Sequence, residues 1–130
     1  MILGKRKTGH IGLAVNDLER DRAWYLSLGF RETGRFMTPD GEPVSFLDNG
    51  SVIYEMYQPC IPVGAEAAGK IDHISFVSED IEADYKAALD QGYTVCTNAI
   101  EEISTFWEKG IRYFKLESPT GEQIEFCQIL

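Results

Sequence analysis

Two histidines and three cysteines are all the imidazole and thiol that this 130-residue chain offers. Cys60, Cys96 and Cys127 are odd in number and no two stand at CxxC spacing. That excludes a disulfide scaffold and leads us to expect reduced thiols, acting as small buried hydrophobes, in a cytoplasmic protein. Positive charge is also scarce. Against 21 acidic residues there are 12 basic ones, a net charge of −9. Lys5, Arg6 and Lys7 form the only basic cluster, which reads as a solvated terminus, so a phosphate backbone would be repelled and no nucleic acid partner is expected. Long apolar runs are missing too. Nothing approaches the roughly 18 residues needed to span a bilayer. The opening Met1–Leu3, followed by Gly4 and three basic residues, does not read as a secretory signal, because the charges follow the apolar residues. No membrane partner is expected.

What is present is an ordinary globular composition, 44% hydrophobic and 25% charged, which suits one domain over residues 1–130. Inside it the chain repeats itself. HIGLAVNDLERDRAWYLSLGF (10–30) and HISFVSEDIEADYKAALDQGY (73–93) align without a gap at an offset of 63 residues, with seven identities in 21 positions. His10 falls on His73, Asp17 on Asp80, Glu19 on Glu82 and Gly29 on Gly92. Each copy begins as a β-rich run and continues as a helix. Asn16 with Glu19 predicts a capping box for the first helix, and Glu79, Asp80 and Glu82 place negative charge at the start of the second. Ile81, Tyr85, Ala88 and Leu89 predict one apolar helical face. Gly29 and Gly92 predict left-handed caps that end the two helices.

Three more strands follow in each copy. The pattern predicts Phe30–Met37, Pro43–Leu47 and Ser51–Tyr57, then Tyr93–Thr97, Ile111–Glu117 and Glu122–Ile129. Turns are expected at Pro39-Asp40-Gly41, at Asp48-Asn49-Gly50 and at Ser118-Pro119-Thr120-Gly121. Residues 59–69 read as a linker, and 98–110 carry the weakest pattern, suggesting a mobile flap. The fold class is α+β, with two tandem βαβββ modules at about 8–58 and 70–130.

Both histidines occupy the first strand of their copies, and the last strands, SVIYEMYQ and GEQIEFCQ, each hold one glutamate between apolar neighbours. Burying Glu55 or Glu125 costs several kcal/mol unless a partner compensates, and a cation is a good one. Taken singly, a strand histidine is more often a core or surface residue, and either glutamate fits a solvent face. Four such residues in equivalent places point instead to a shared divalent ion on His10, Glu55, His73 and Glu125. Their N/O donor set suits Zn²⁺, Ni²⁺, Co²⁺, Fe²⁺ or Mn²⁺. Cys127 shares the strand face of Glu125, but a lone thiol reads as packing.

The order of His on a first strand and Glu on a last strand, twice over, resembles the vicinal oxygen chelate superfamily. That group includes glyoxalase I, methylmalonyl-CoA epimerase, extradiol dioxygenases, fosfomycin-resistance enzymes and bleomycin-binding proteins. The resemblance runs from His10 to the closing SPTGEQIEF and implies a cupped mixed sheet. The ligand set His, Glu, His, Glu is similar to that of glyoxalase I (lactoylglutathione lyase), whereas methylmalonyl-CoA epimerase usually has Gln in place of Glu55. The short chain resembles the bacterial glyoxalases, implying Ni²⁺ or Co²⁺ rather than Zn²⁺.

The resemblance further implies a homodimer acting on a small molecule, an α-oxo hemithioacetal, by proton transfer through an enediolate. Glu125 would be the mobile base, with Glu55 on the opposite face of the substrate. Ala14 and Pro59 stand where glutathione-using members commonly carry Arg and Asn. Arg112, Lys109 or Arg35 would have to substitute as an anion anchor, and Phe106 and Trp107 are candidates for the mouth or for the core. The alternatives are a metal-dependent epimerase of an acyl thioester and a non-catalytic binding protein.

Overall fold

The computed structural model describes residues 2–27, 29–64, 71–117 and 123–130. The chain divides into two units, His10–Asp72 and Met1–Gly9 with His73–Leu130. Its linear order is β1 (Thr8–Ala14), α1 (Leu18–Ser27), β2 (Arg31–Met37), β3 (Pro43–Asp48) and β4 (Ile53–Tyr57). There follow β5 (Ile71–Val77), α2 (Ile81–Asp90), β6 (Glu101–Ile103), β7 (Ile111–Glu117) and β8 (Gln123–Ile129). This is βαβββ twice, an α+β fold.

In the N-terminal unit β4 runs parallel to β1 and antiparallel to β3, and β3 pairs antiparallel with β2. The C-terminal unit repeats this scheme, with β8 parallel to β5 and antiparallel to β7, and β7 antiparallel to β6. Alternate residues along a strand face opposite ways, so each unit turns one set of strand side chains toward its helix. Beneath α1 lie Leu13, Leu47 and Met56, packed with Leu18. Beneath α2 lie Phe114 and Phe126, stacked at 4.9 Å and packed with Ile81 and Ala88 of the helix.

The helix ends explain themselves locally. Asp17 and Asp80, identical in the repeat, each accept a bond from the backbone three residues on, Arg20 N at 3.0 Å and Ala83 N at 3.1 Å. Asp17 therefore caps α1, not the Asn16 of the expected capping box. Asn16 instead holds Val63 through two bonds of 3.0 Å. Gly29 (φ +103°) and Gly92 (φ +77°) end the helices in the left-handed region. Phe30 N reaches Tyr25 O and Tyr93 N reaches Ala88 O, the six-residue closure that satisfies orphan carbonyls.

Several expectations change. Residues 93–97 form no strand; Val95 makes one isolated bridge to Leu116. The second strand of the second module is β6, inside the segment expected to be a flap, where Phe106 and Gly110 are also buried. Leu89 is 51% exposed, so the apolar face of α2 is narrower than its spacing suggests. Cys127 is buried, but Cys60 and Cys96 are exposed and do not serve as core hydrophobes. The turn at 118–121 and linker residues 65–69 lie outside the described residues. The basic N-terminus is more than a solvated tail. Arg6 bonds Asp84 at 2.6 Å, Lys7 O accepts from Val77 N, and Ile2 enters the core beneath α2.

Candidate functional site

Each unit carries one histidine and one glutamate in the same arrangement. Within the N-terminal unit, β1 presents His10 and then Gly12 on one face, and Gly12 is in register with Glu55 on β4. In the C-terminal unit, β5 presents His73 and then Ser75 on one face, and Ser75 is in register with Glu125 on β8. Nε2 to Oε2 is 3.5 Å in both pairs, His10–Glu55 and His73–Glu125. All four residues are buried, at 4%, 9%, 4% and 5% exposure in chain order. The sequence placed these four on equivalent strands of the two copies, and the structure buries all four.

The spacing bears on what the pairs can hold. At 3.5 Å the atoms lie beyond an ordinary hydrogen bond of about 2.7–3.2 Å. Two donor atoms that each sit ~2.1 Å from one ion lie about 3–3.5 Å apart, so the spacing suits two ligands of the same ion. In each unit, one imidazole and one carboxylate, buried and spaced in this way, offer a donor pair that suits a divalent cation.

A repeated glutamine fixes these strands. Gln58 and Gln128 each follow their glutamate by three residues. Gln58 Oε1 accepts from Leu18 N at 3.0 Å, and Gln128 Oε1 from Ile81 N at 3.1 Å, the first backbone N–H of each helix. The glutamate-bearing strand is therefore tied to the helix behind it, and the repeated E-x-x-Q was the available signal. Tyr57, two residues beyond Glu55 on the same face, donates to Asp72 Oδ1 at 3.3 Å. Burial, reinforced by the Asp72 carboxylate, pushes its phenol above the usual tyrosine range.

The anion anchors expected from the sequence lie elsewhere. Arg35 bonds Glu19 at 2.6 Å and Glu32 at 3.3 Å, and Arg112 bonds Glu82 at 3.1 Å. Register puts Arg112 opposite Gln128, on the helix side of its sheet. Lys109 is exposed in the loop between β6 and β7. In that loop Phe106 is 3% exposed, in keeping with a core aromatic, and Trp107 has φ +59°, the positive-φ residue other than glycine among those described. Ala14 is buried and Pro59 half-buried, and neither side chain offers a donor to an anion.

Residues 9–112 match the family model described as the Glyoxalase/Bleomycin resistance protein/Dioxygenase superfamily. YwbC of Bacillus subtilis (strain 168) is 30% identical over 131 residues, spanning 95% of this chain and 98% of that protein. The hypothetical protein BH1468 from Bacillus halodurans C-125 superposes with a TM-score of 0.79 at 23% identity, over 97% of this chain and 96% of its own. A methylmalonyl-CoA epimerase from Mycobacterium tuberculosis does so with 0.77 at 20%, over 95% and 87%. At these identities the two superpositions establish the fold.

Proposed function

Because the chain belongs to the glyoxalase/bleomycin resistance/dioxygenase superfamily, we propose that it is a metal-dependent isomerase or lyase of glyoxalase I type. It would move a proton between adjacent carbons of a small α-oxo or hemithioacetal substrate. The observation that carries this reading is the duplicated, buried His–Glu pair at 3.5 Å. His10, Glu55, His73 and Glu125 are the proposed ligands of one divalent ion, with nickel, cobalt and zinc the metals to try first. When bound, the ion would polarise the substrate carbonyl and lower the cost of negative charge building on its oxygen.

The chain's own residues supply the rest. Glu125 takes the proton from one carbon and returns it to the next, and Glu55 stands at the other face of the substrate. Burial of both carboxylates excludes water from the proton's path. Gln58 and Gln128 hold the two strands that carry them. A second reading, epimerisation of an acyl thioester, uses the same proton chemistry. The side chains of Ala14 and Pro59 favour it, since neither can anchor a glutathione carboxylate. A homodimer, two chains of 14.6 kDa, is the proposed assembly.

The test is direct. Metal-free protein is loaded with Ni²⁺ or Co²⁺, and bound metal is counted for the wild type and for Glu55→Gln and Glu125→Gln. Thioester formation from methylglyoxal and glutathione is then followed beside α-proton exchange of an acyl thioester in deuterated water. One ion per site, weakened by either substitution, with turnover in one of the two assays supports the proposal. A metal content unchanged by both substitutions would sink it.

A further inference from the structure

Lys5, Arg6 and Lys7 are the one basic cluster of the sequence, and the proposed chemistry leaves them unused. In the C-terminal unit all three line a cavity of about 610 Å³ between the N-terminal arm and the end of β5. That volume falls within the ~300–1,000 Å³ of small-molecule sites. None of the four proposed metal ligands lines it.

One wall of the cavity is fixed in place. Arg6 Nη2 donates to Asp84 Oδ1 at 2.6 Å and to Ile2 O at 3.3 Å, and Nη1 donates to Val77 O at 3.4 Å. The guanidinium also lies 5.4 Å from the centre of the Phe126 ring. Asp84 is held in turn by Ser78 Oγ at 2.6 Å. A side chain ordered in this way loses little further freedom when a ligand arrives.

The rest of the lining is of two kinds. Leu3 and Val77 are apolar, and Val77 is 43% exposed at the end of its strand. Lys5 and Lys7 are exposed, and neither makes an ion pair among the described residues. Arg6 Nε is buried with no hydrogen-bond partner among them, a donor that is costly to leave unmet. Glu79 is the one carboxylate of the lining. With Arg6 matched by Asp84, two lysines oppose a single glutamate, a local excess of positive charge in a chain of net charge −9.

We propose that this cavity binds a small organic anion with an aliphatic body, in class a short-chain carboxylate. The carboxylate accepts from the two lysines and supplies the acceptor that Arg6 Nε lacks, while the chain lies on Leu3 and Val77. An inorganic anion would use the cations alone, and an uncharged chain the apolar wall alone. The site is independent of the proposed proton transfer at Glu125.

A set of four probes tests it. Hexanoate, acetate, 1-hexanol and inorganic phosphate are titrated at constant ionic strength into the ¹⁵N-labelled full chain, and assigned amide shifts are followed. Hexanoate should saturate with a Kd of about 1 mM, as expected for so few atoms, moving the amides of residues 3–7, Val77 and Glu79. The other three probes should each bind at least ~5-fold more weakly, the scale of one exposed charge contact. Lys5→Gln with Lys7→Gln, at exposed positions, should weaken hexanoate by a similar factor and leave the remaining spectrum in place. Val77→Ser should narrow the gap between hexanoate and acetate. Shifts centred on His73 and Glu125, or scattered over the surface, would overturn the site. So would hexanoate affinity unchanged by the lysine substitutions. Phosphate or hexanol binding as tightly as hexanoate would overturn the ligand class.

Discussion

Glu125 is where residue chemistry matters most. It is the proposed base, and its replacement by Gln keeps the size and removes the proton acceptor. Turnover should fall by at least the ~10²-fold typical of a lost general base, measured as kcat at saturating metal. His10→Ala should act on metal content first, because it deletes a nitrogen donor, and added metal should restore little activity. Glu32 offers a test that does not depend on function. Its carboxyl is raised by burial but lowered further by bonds from Arg22 and Ser45, and the balance sits below the usual 4.5. A carboxyl depressed in the folded state contributes stability that is fully present above its unfolded value. That contribution is lost as pH falls through the folded value. Thermal denaturation between about pH 5 and pH 3 should therefore drop more steeply for wild type than for Glu32→Gln.

The elements are held by repeated capping chemistry. Asp80→Ala removes the bond to Ala83 N and should cost about 1 kcal/mol in urea denaturation, as side-chain caps of this kind do. Gln128→Leu leaves Ile81 N without its strand partner and should cost a similar amount. Its second effect would be on catalysis, since the strand it releases carries Glu125. A loss of stability with wholly unchanged activity would deny Gln128 its positioning role. Both substitutions sit at places where the sequence repeats, and the equivalent changes at Asp17 and Gln58 should behave alike.

Across the whole molecule, the first residues belong with the last. Ile2, Arg6 and Lys7 pack and bond with the unit formed by His73–Leu130. Deleting Ile2–Lys7 should lower Tm by several degrees, because it uncovers the α2 core and breaks the Arg6–Asp84 pair. Metal linkage acts at the same scale. A ligand bound by the native state alone raises stability as its concentration exceeds Kd, so a chelator should lower Tm and stoichiometric Ni²⁺ or Co²⁺ should restore it. A Tm indifferent to both would speak against a site built from native strands.

The duplication was visible in the sequence alone, and with it the βαβββ order, the glycine caps and the four buried His and Glu positions. These follow from local pattern and from self-comparison, and both halves had to solve the same packing problem. The caps at Asp17 and Asp80 depended on which oxygen reached which N–H, a matter of backbone direction that residue identity left open at Asn16. The weak run 98–110 concealed β6, because three residues of strand are chosen by a neighbouring edge and not by propensity. The bonds that Gln58 and Gln128 make to the helix starts were decided by tertiary structure. Strand register sets which side chains stand beside Glu125, and register comes from pairing between segments far apart in the chain.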